Sequence, residues 1–395
     1  MDTITHGIAG ALLGKAFYAD KQGRVATFAA TLGAVFPDSD AFFNLFDRNE
    51  LATIELHRGV THSFVCLPFF AAGLAALTRW YARRRGWVCP SWLLLAGIYA
   101  TGLTLHIVLD LITSFGTMIW SPLANTRATW DMVFILDSVL TGIVLLPQAA
   151  AWVYRKPNRS FRRALGLWVL FAACAAAIER IARAVGFPFS PWVVVAVSLL
   201  LAGLFFLPAA RGWGFAVRRA SWCRAGVFAL AAYLGACAVA HHAALARVEQ
   251  FAASRGVRAE RLGALPLPPA LLHWNGLIRV PDGVHQARID LRGRAAPEFH
   301  FFPDAPANGY IEAARQLPKV QSYLRFARFP VIRYLAQGDQ HVIEIADLQF
   351  FRRRNGRPNP FTFRVRLDAS GRVVEQGWAD VLDLRRIHAG DLRRD

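Results

Sequence analysis

Residues 92–112 read WLLLAGIYATGLTLHIVLDLI. The run contains no Lys, Arg or Glu, and at about 1.5 Å per residue a helix of this length crosses the roughly 30 Å hydrocarbon core of a bilayer. Two ionisable groups, His106 and Asp110, interrupt it near its end. They stand four apart, so a helix puts both on one face. Ionisable groups at bilayer depth are expensive and mark function. One span therefore introduces both the architecture and the chemistry.

Apolar runs of similar length occupy 64–80, 132–154, 164–184, 191–210 and 223–244, which makes about six full spans. Two shorter runs, 4–18 and 25–36, precede them and read as an N-terminal short helical hairpin. Half-length segments are tolerated where protein rather than lipid surrounds them. The chain has 395 residues, is 55% hydrophobic and has a mean hydropathy of +0.31. Soluble domains sit near 45–50% apolar, so the excess belongs to these runs. From Arg247 onward the composition is that of a soluble protein. There, 276–280, 286–291, 342–351 and 361–367 read as strands and 312–324 as a helix. The stretch before them reads as a short helix or linker and a Pro-rich turn at 265–269, and Asp282-Gly283 and Ser370-Gly371 are turn signals. The expected fold is an α-helical polytopic membrane domain over 1–244, with its motif core in 1–140, followed by a small α+β soluble domain over 245–395.

The net charge of +18 would permit nucleic-acid binding, but its distribution argues against it. The positive residues fall in short loops: Arg79, Arg83, Arg84 and Arg85; Arg155, Lys156, Arg159, Arg162 and Arg163; Arg211, Arg218, Arg219 and Arg224. These loops follow every second span, the pattern of cytoplasmic loops, and Lys15, Lys21 and Arg24 fit the same side. The loops of the other side carry fewer positive charges, although Arg127, Arg180 and Arg183 blur the contrast. This orientation makes the chain a multi-pass protein of the inner (plasma) membrane with an extracytoplasmic C-terminal domain. Cys66, Cys89, Cys174, Cys223 and Cys237 lie in the membrane half without a CxxC pair. They read as packing residues rather than a disulfide framework or zinc ribbon.

The N-terminal part holds further ionisable groups: His6 in ITHGIAG, Asp38 and Asp40 in FPDSD, and His57 and His62 in HRGVTHS. With His106 and Asp110 they form a set of His and carboxylate groups, the ligands that zinc, manganese and iron use. Gly59 would allow a sharp bend between His57 and His62. The orientation above brings these groups to one depth near the outer ends of their segments. Asp137 in FILDS is equally readable as a ligand or a structural carboxylate. His241 and His242 read as interfacial residues.

The order THGIAGALLG, GAVFPDSD, HRGVTHS and LHIVLDLITSFGT resembles the YdjM-like family of membrane-bound metal-dependent hydrolases over roughly the first 140 residues. The run YLRFARFPVIRYL, with VIEIADLQFF and FTFRVRLDASGRVV, is similar to the tail of longer members. The resemblance implies His6, Asp38, Asp40, His57, His62, His106 and Asp110 as metal ligands. The early His, the Pro-Asp element and the later His/Asp pairs also resemble, distantly, the zinc-dependent phospholipases C.

These observations predict a metal-dependent hydrolase of a phosphoester or ester in a lipid or lipid-linked substrate. One or two divalent ions, zinc before manganese, would lower the pKa of a bound water. Asp40 or Asp110 would take its proton, and Arg58 would hold an anionic group. Thr61 and Ser63 would orient ligands or cap a helix. The alternative is a non-enzymatic metal-binding transporter or assembly factor.

Overall fold

The computed structural model describes residues 1–44, 51–184, 190–268, 270–293, 295–350 and 361–380. The chain opens with a helical hairpin, α1 (Thr3–Phe17) and α2 (Ala19–Val35). Asp2 caps α1 by accepting the Thr5 amide, and Gly23 bends α2 at a φ of +70°. Two short helices follow, α3 (Ser39–Asn44) and α4 (Ala52–Glu55). The longer helices are α5 (Leu67–Arg84), α6 (Trp92–Leu111), α7 (Ser138–Val153), α8 (Pro157–Ala184), α9 (Pro191–Ala210) and α10 (Arg219–Ser254).

Small residues close the hairpin and hold it to α6. A Cβ on Gly10 would lie 2.5 Å from Ala34 Cβ, and one on Gly102 would lie 2.5 Å from the Ala30 carbonyl. Only glycine permits such backbone approach, which replaces the missing hydrophobic drive between helices in a bilayer. Ala26, Ala29, Ala30, Tyr99 and Leu103 fill this seam and are buried. Trp192, Leu199, Leu200, Phe228 and Val239 instead point outward, as lipid-facing residues do.

The expectation of six spans is corrected. Among the described residues, α6, α8, α9 and α10 are long and apolar enough to cross a membrane. Segments 52–62 and 67–84 would make a fifth if they are taken as one span bent by 71°. The run expected at 132–154 becomes helical only at Ser138. The amides of Met132 and Val133 bond the Ile112 carbonyl and close the end of α6, and Asp137 caps α7. The run expected at 64–80 starts its helix at Leu67 and carries Arg79, Arg83 and Arg84 in its last turns.

The basic loops gather at one end. Arg218 pairs with Asp20, and Arg224 donates to the Ala16 carbonyl, tying the start of α10 to the α1–α2 turn. From there α10 runs through 36 residues, about 54 Å at the helical rise and well beyond a ~30 Å core. The expected boundary at 244/245 falls inside it, so one continuous helix stands where a short helix or linker was expected. Its last turns bury Ala244, Val248 and Ala252 against Trp274, Ile278 and Ile289.

The C-terminal domain has two four-stranded antiparallel meanders. The first is β1 (Arg261–Leu267), β2 (His273–Val280), β3 (Gly283–Asp290) and β4 (His300–Pro303). The second is β5 (Pro330–Gln337), β6 (Gln340–Asp347), β7 (Thr362–Asp368) and β8 (Val373–Trp378). The Pro-rich turn expected at 265–269 is largely the end of β1, with Pro269 outside the described residues, as is Phe351 of the expected strand 342–351. The helix expected over 312–324 is two, α11 (Gly309–Arg315) and α12 (Pro318–Phe326). Pro318 drives Leu317 to an extended conformation, ψ 132°, and divides them.

This domain packs on the bundle. Leu51 and Ile54 share a core with Ile311, Val320, Tyr323 and Phe326. Arg328 clasps Asp131 with two bonds of 2.8 and 2.7 Å.

Candidate metal centre

At the end of the bundle opposite the basic loops, four residues from separate segments converge. Asp38 closes the 3-10 turn Phe36–Asp38 after α2, and His62 closes a second one, Val60–His62, before α5. His106 and Asp110 lie in the last turns of α6. One ligand atom from each falls within 4.8 Å of all the others.

Tautomers follow from the outward-facing nitrogens. His106 Nδ1 donates to the Ala34 carbonyl at 2.7 Å, which leaves Nε2 a lone pair. His62 Nδ1 faces Thr61 Oγ1 at 2.9 Å and Asp40 Oδ2 at 3.3 Å, so its proton belongs there as well. The two Nε2 atoms then meet at 3.0 Å, lone pair toward lone pair. Asp110 Oδ2 lies 3.2 and 3.5 Å from them, and Asp38 Oδ1 lies 3.7 and 3.5 Å away. Asp110 Oδ2 is buried and takes no well-formed hydrogen bond. Four acceptors thus point at one spot with no donor between them. A proton would satisfy one pair, whereas a divalent cation satisfies all four. The corner-to-corner spacing agrees with the ~3.4 Å edge of a tetrahedron whose arms are about 2.1 Å, the reach of zinc to nitrogen and oxygen.

The comparison with family models bears on this end of the chain. Residues 1–186 match the YdjM inner membrane protein family. The match takes in all four residues and the motifs that suggested it, but stops short of the C-terminal domain. No match is found among curated proteins or among solved structures, the zinc-dependent phospholipases C included.

The remaining residues of the YdjM motifs surround the four. His6 stacks on His106, with ring centroids 3.7 Å apart, and its Nε2 lies 3.2 Å from Asp110 Oδ1. The Met1 α-amino group contacts the same oxygen. Asp40 is a hub: it accepts from His57 Nδ1 at 2.8 Å, the Arg58 amide at 3.0 Å and Thr61 Oγ1 at 3.0 Å. Burial alone would raise its carboxyl, but the hydrogen bonds of His57 and His62 hold it well below the usual carboxylate range. His57 is the most exposed imidazole of the group and stands outside the four.

Arg58 was expected to hold a substrate anion. Its guanidinium is buried and engaged instead: Nη2 lies 2.9 Å from Asp110 Oδ1, Nη1 donates to Thr113 Oγ1 at 2.9 Å, and Phe115 lies beneath it. The bend expected at Gly59 is carried by Arg58, whose φ is +61°. Gly59 is needed for another reason, since a Cβ there would meet the Leu56 carbonyl at 2.9 Å. Asp137 accepts two amides of α7 and the Tyr233 hydroxyl at 2.6 Å, a structural role away from the four. Thr61 bonds the ligand shell, and Ser63 accepts the Val65 amide like a cap.

Two contributors carried no local signal. Phe115 touches His57 and meets Phe326, Phe350 and Phe361 of the C-terminal domain at 5.3–6.4 Å. Arg127, which looked like a stray loop charge, bonds the carbonyls of Ile54, His57 and Gly116.

Proposed function

We propose that the chain is a metal-dependent hydrolase that cleaves a phosphoester or ester of a lipid or lipid-linked substrate at the membrane interface. The observation that carries this reading is the convergence of two imidazole nitrogens and two carboxylate oxygens within 4.8 Å of one another. Asp38, His62, His106 and Asp110 would hold the ion. Two imidazoles with two carboxylates suit zinc, and manganese next, better than calcium or magnesium. A divalent ion there supplies Lewis acidity and brings a coordinated water toward neutrality in pKa.

The protein's own groups then divide the work. Asp38 is the member of the four that keeps exposure, so substrate approaches on its side. His57, oriented by Asp40 and partly exposed, would serve as the proton acceptor. Arg58, His6 and Thr113 fix Asp110 and its turn. By the positive-inside rule the end with the basic loops would face the cytoplasm, and the centre and C-terminal domain would lie on the extracytoplasmic side. A transporter would need ionisable groups along the path, whereas α6 has no charged residue between Trp92 and Leu105.

The test is turnover of a panel of lipid phosphoesters and esters in mixed micelles. Chelator should abolish release and zinc or manganese restore it. His57→Gln should keep its metal while turnover falls by about 10²–10⁴-fold. Stoichiometric metal with no substrate turned over would favour the transporter or assembly-factor reading.

A further inference from the structure

A groove of about 680 Å³ opens on the membrane-facing side between α1, α2, α7 and α8. Its walls are mostly apolar, with Ile4, Ala11, Val35 and Leu145 along its length. Thr3 stands at one end and Lys15 at the other, where the Lys15 ammonium donates to Gln148 at 2.8 Å. Twelve helical steps separate them, about 18 Å at the helical rise.

The upper end meets the centre. Thr3 Oγ1 donates to Asp38 Oδ2 at 2.6 Å. His62, His106 and Asp110 are fully buried, and Asp38 alone of the four keeps exposure. The rim of the groove and the accessible edge of the centre are therefore one place. Where the rim is polar and ends at the candidate centre, a headgroup fits; where the walls are apolar, a chain fits.

We infer that this groove seats one hydrocarbon chain of a membrane lipid whose anionic headgroup lies at Asp38. The inference rests on the hydrolase reading for the headgroup and on the groove alone for the chain. It gives the substrate class as a single-chain-anchored amphiphile drawn from the leaflet, with α1 as its track. The hydroxyl of Thr3 orients Asp38 at the point of entry.

The full-length protein in detergent is loaded with zinc and irradiated with a long-chain alkyl phosphate bearing a mid-chain diazirine. Peptide mapping locates the label, and elemental analysis reads the zinc. Saturable labelling concentrated in residues 3–15, 31–35 and 145–152 is expected. Ala11→Phe, and independently Leu145→Phe, should lower it several-fold with zinc content unchanged, while Val195→Phe on α9 should leave it alone. Label spread evenly onto Leu199, Leu200 and Phe228, or insensitive to both groove variants, overturns the inference even if zinc is bound. Saturable groove labelling in a protein that holds no zinc would keep the chain site and remove the metal reading.

Discussion

The His106 Nδ1 proton is bonded to the Ala34 carbonyl at 2.7 Å, across the α2–α6 seam. A close helix packing thereby sets the tautomer of a candidate ligand. Gly33 and Gly102 make the seam possible, since a Cβ on Gly33 would lie 2.8 Å from the Tyr99 carbonyl. Outer partners of this kind fix ring orientation and ligand basicity.

His106→Ala should lower bound metal to background while the protein still inserts. Gly102→Val should do much the same from a distance by forcing α2 and α6 apart. Elemental analysis after detergent purification reads both. Wild-type stoichiometry in His106→Ala would take His106 out of the centre.

Asp40→Asn keeps the volume but removes the charge that orders His57, Thr61 and His62. As an orienting group rather than one of the four, it should weaken metal binding by about 10–100-fold without abolishing it. Competitive titration against a chromophoric chelator gives the number, and an unchanged affinity would leave Asp40 without a part in the centre.

Metal should also stabilise the fold. An ion that binds only the native state at a hundredfold excess over its Kd adds about 2.7 kcal/mol. Zinc is therefore expected to raise the melting temperature of the chelator-stripped protein, and His62→Ala should show no such rise.

Arg328 and Asp131 are both mostly buried at the contact between the C-terminal domain and the bundle. Arg328→Met strands the Asp131 carboxylate and should destabilise docking by about 3–5 kcal/mol. Adding Asp131→Asn should recover part of that loss. Protease sensitivity of the C-terminal domain in the single and double variants measures it.

Single cysteines at Arg83, Arg159 and Arg218, in a Cys-free background, should resist an impermeant thiol reagent on intact cells, while one in the C-terminal domain should react. The opposite pattern would move the centre to the cytoplasmic leaflet.

Much of this was legible in the sequence because its signals are local. A bilayer-scale apolar run shows itself, and the i, i+4 spacing of His106 and Asp110 survives unchanged into α6. The alternation of basic loops placed Asp38, His62 and Asp110 at one end before any contact was known. The losses are non-local. Nothing near residue 132 tells that the Met132 and Val133 amides will bond Ile112 and delay α7 to Ser138. Asp40 and Asp38 look alike in FPDSD, and only the positions of His57 and Thr61 separate the hub from the inward-pointing member. Arg58 looked available to a substrate because its partner Asp110 lies 52 residues away. β1 was hidden by the prolines Pro266 and Pro268, although the end strand of a sheet accommodates proline.

Phe115 is roofed by Phe326, Phe350 and Phe361, which leave the ribosome long after it does. While the helices are being inserted, Phe115 stands beneath no roof. A chain that stalls before Phe326 would therefore leave Phe115, and with it the His57 and Arg58 that it contacts, without that cover.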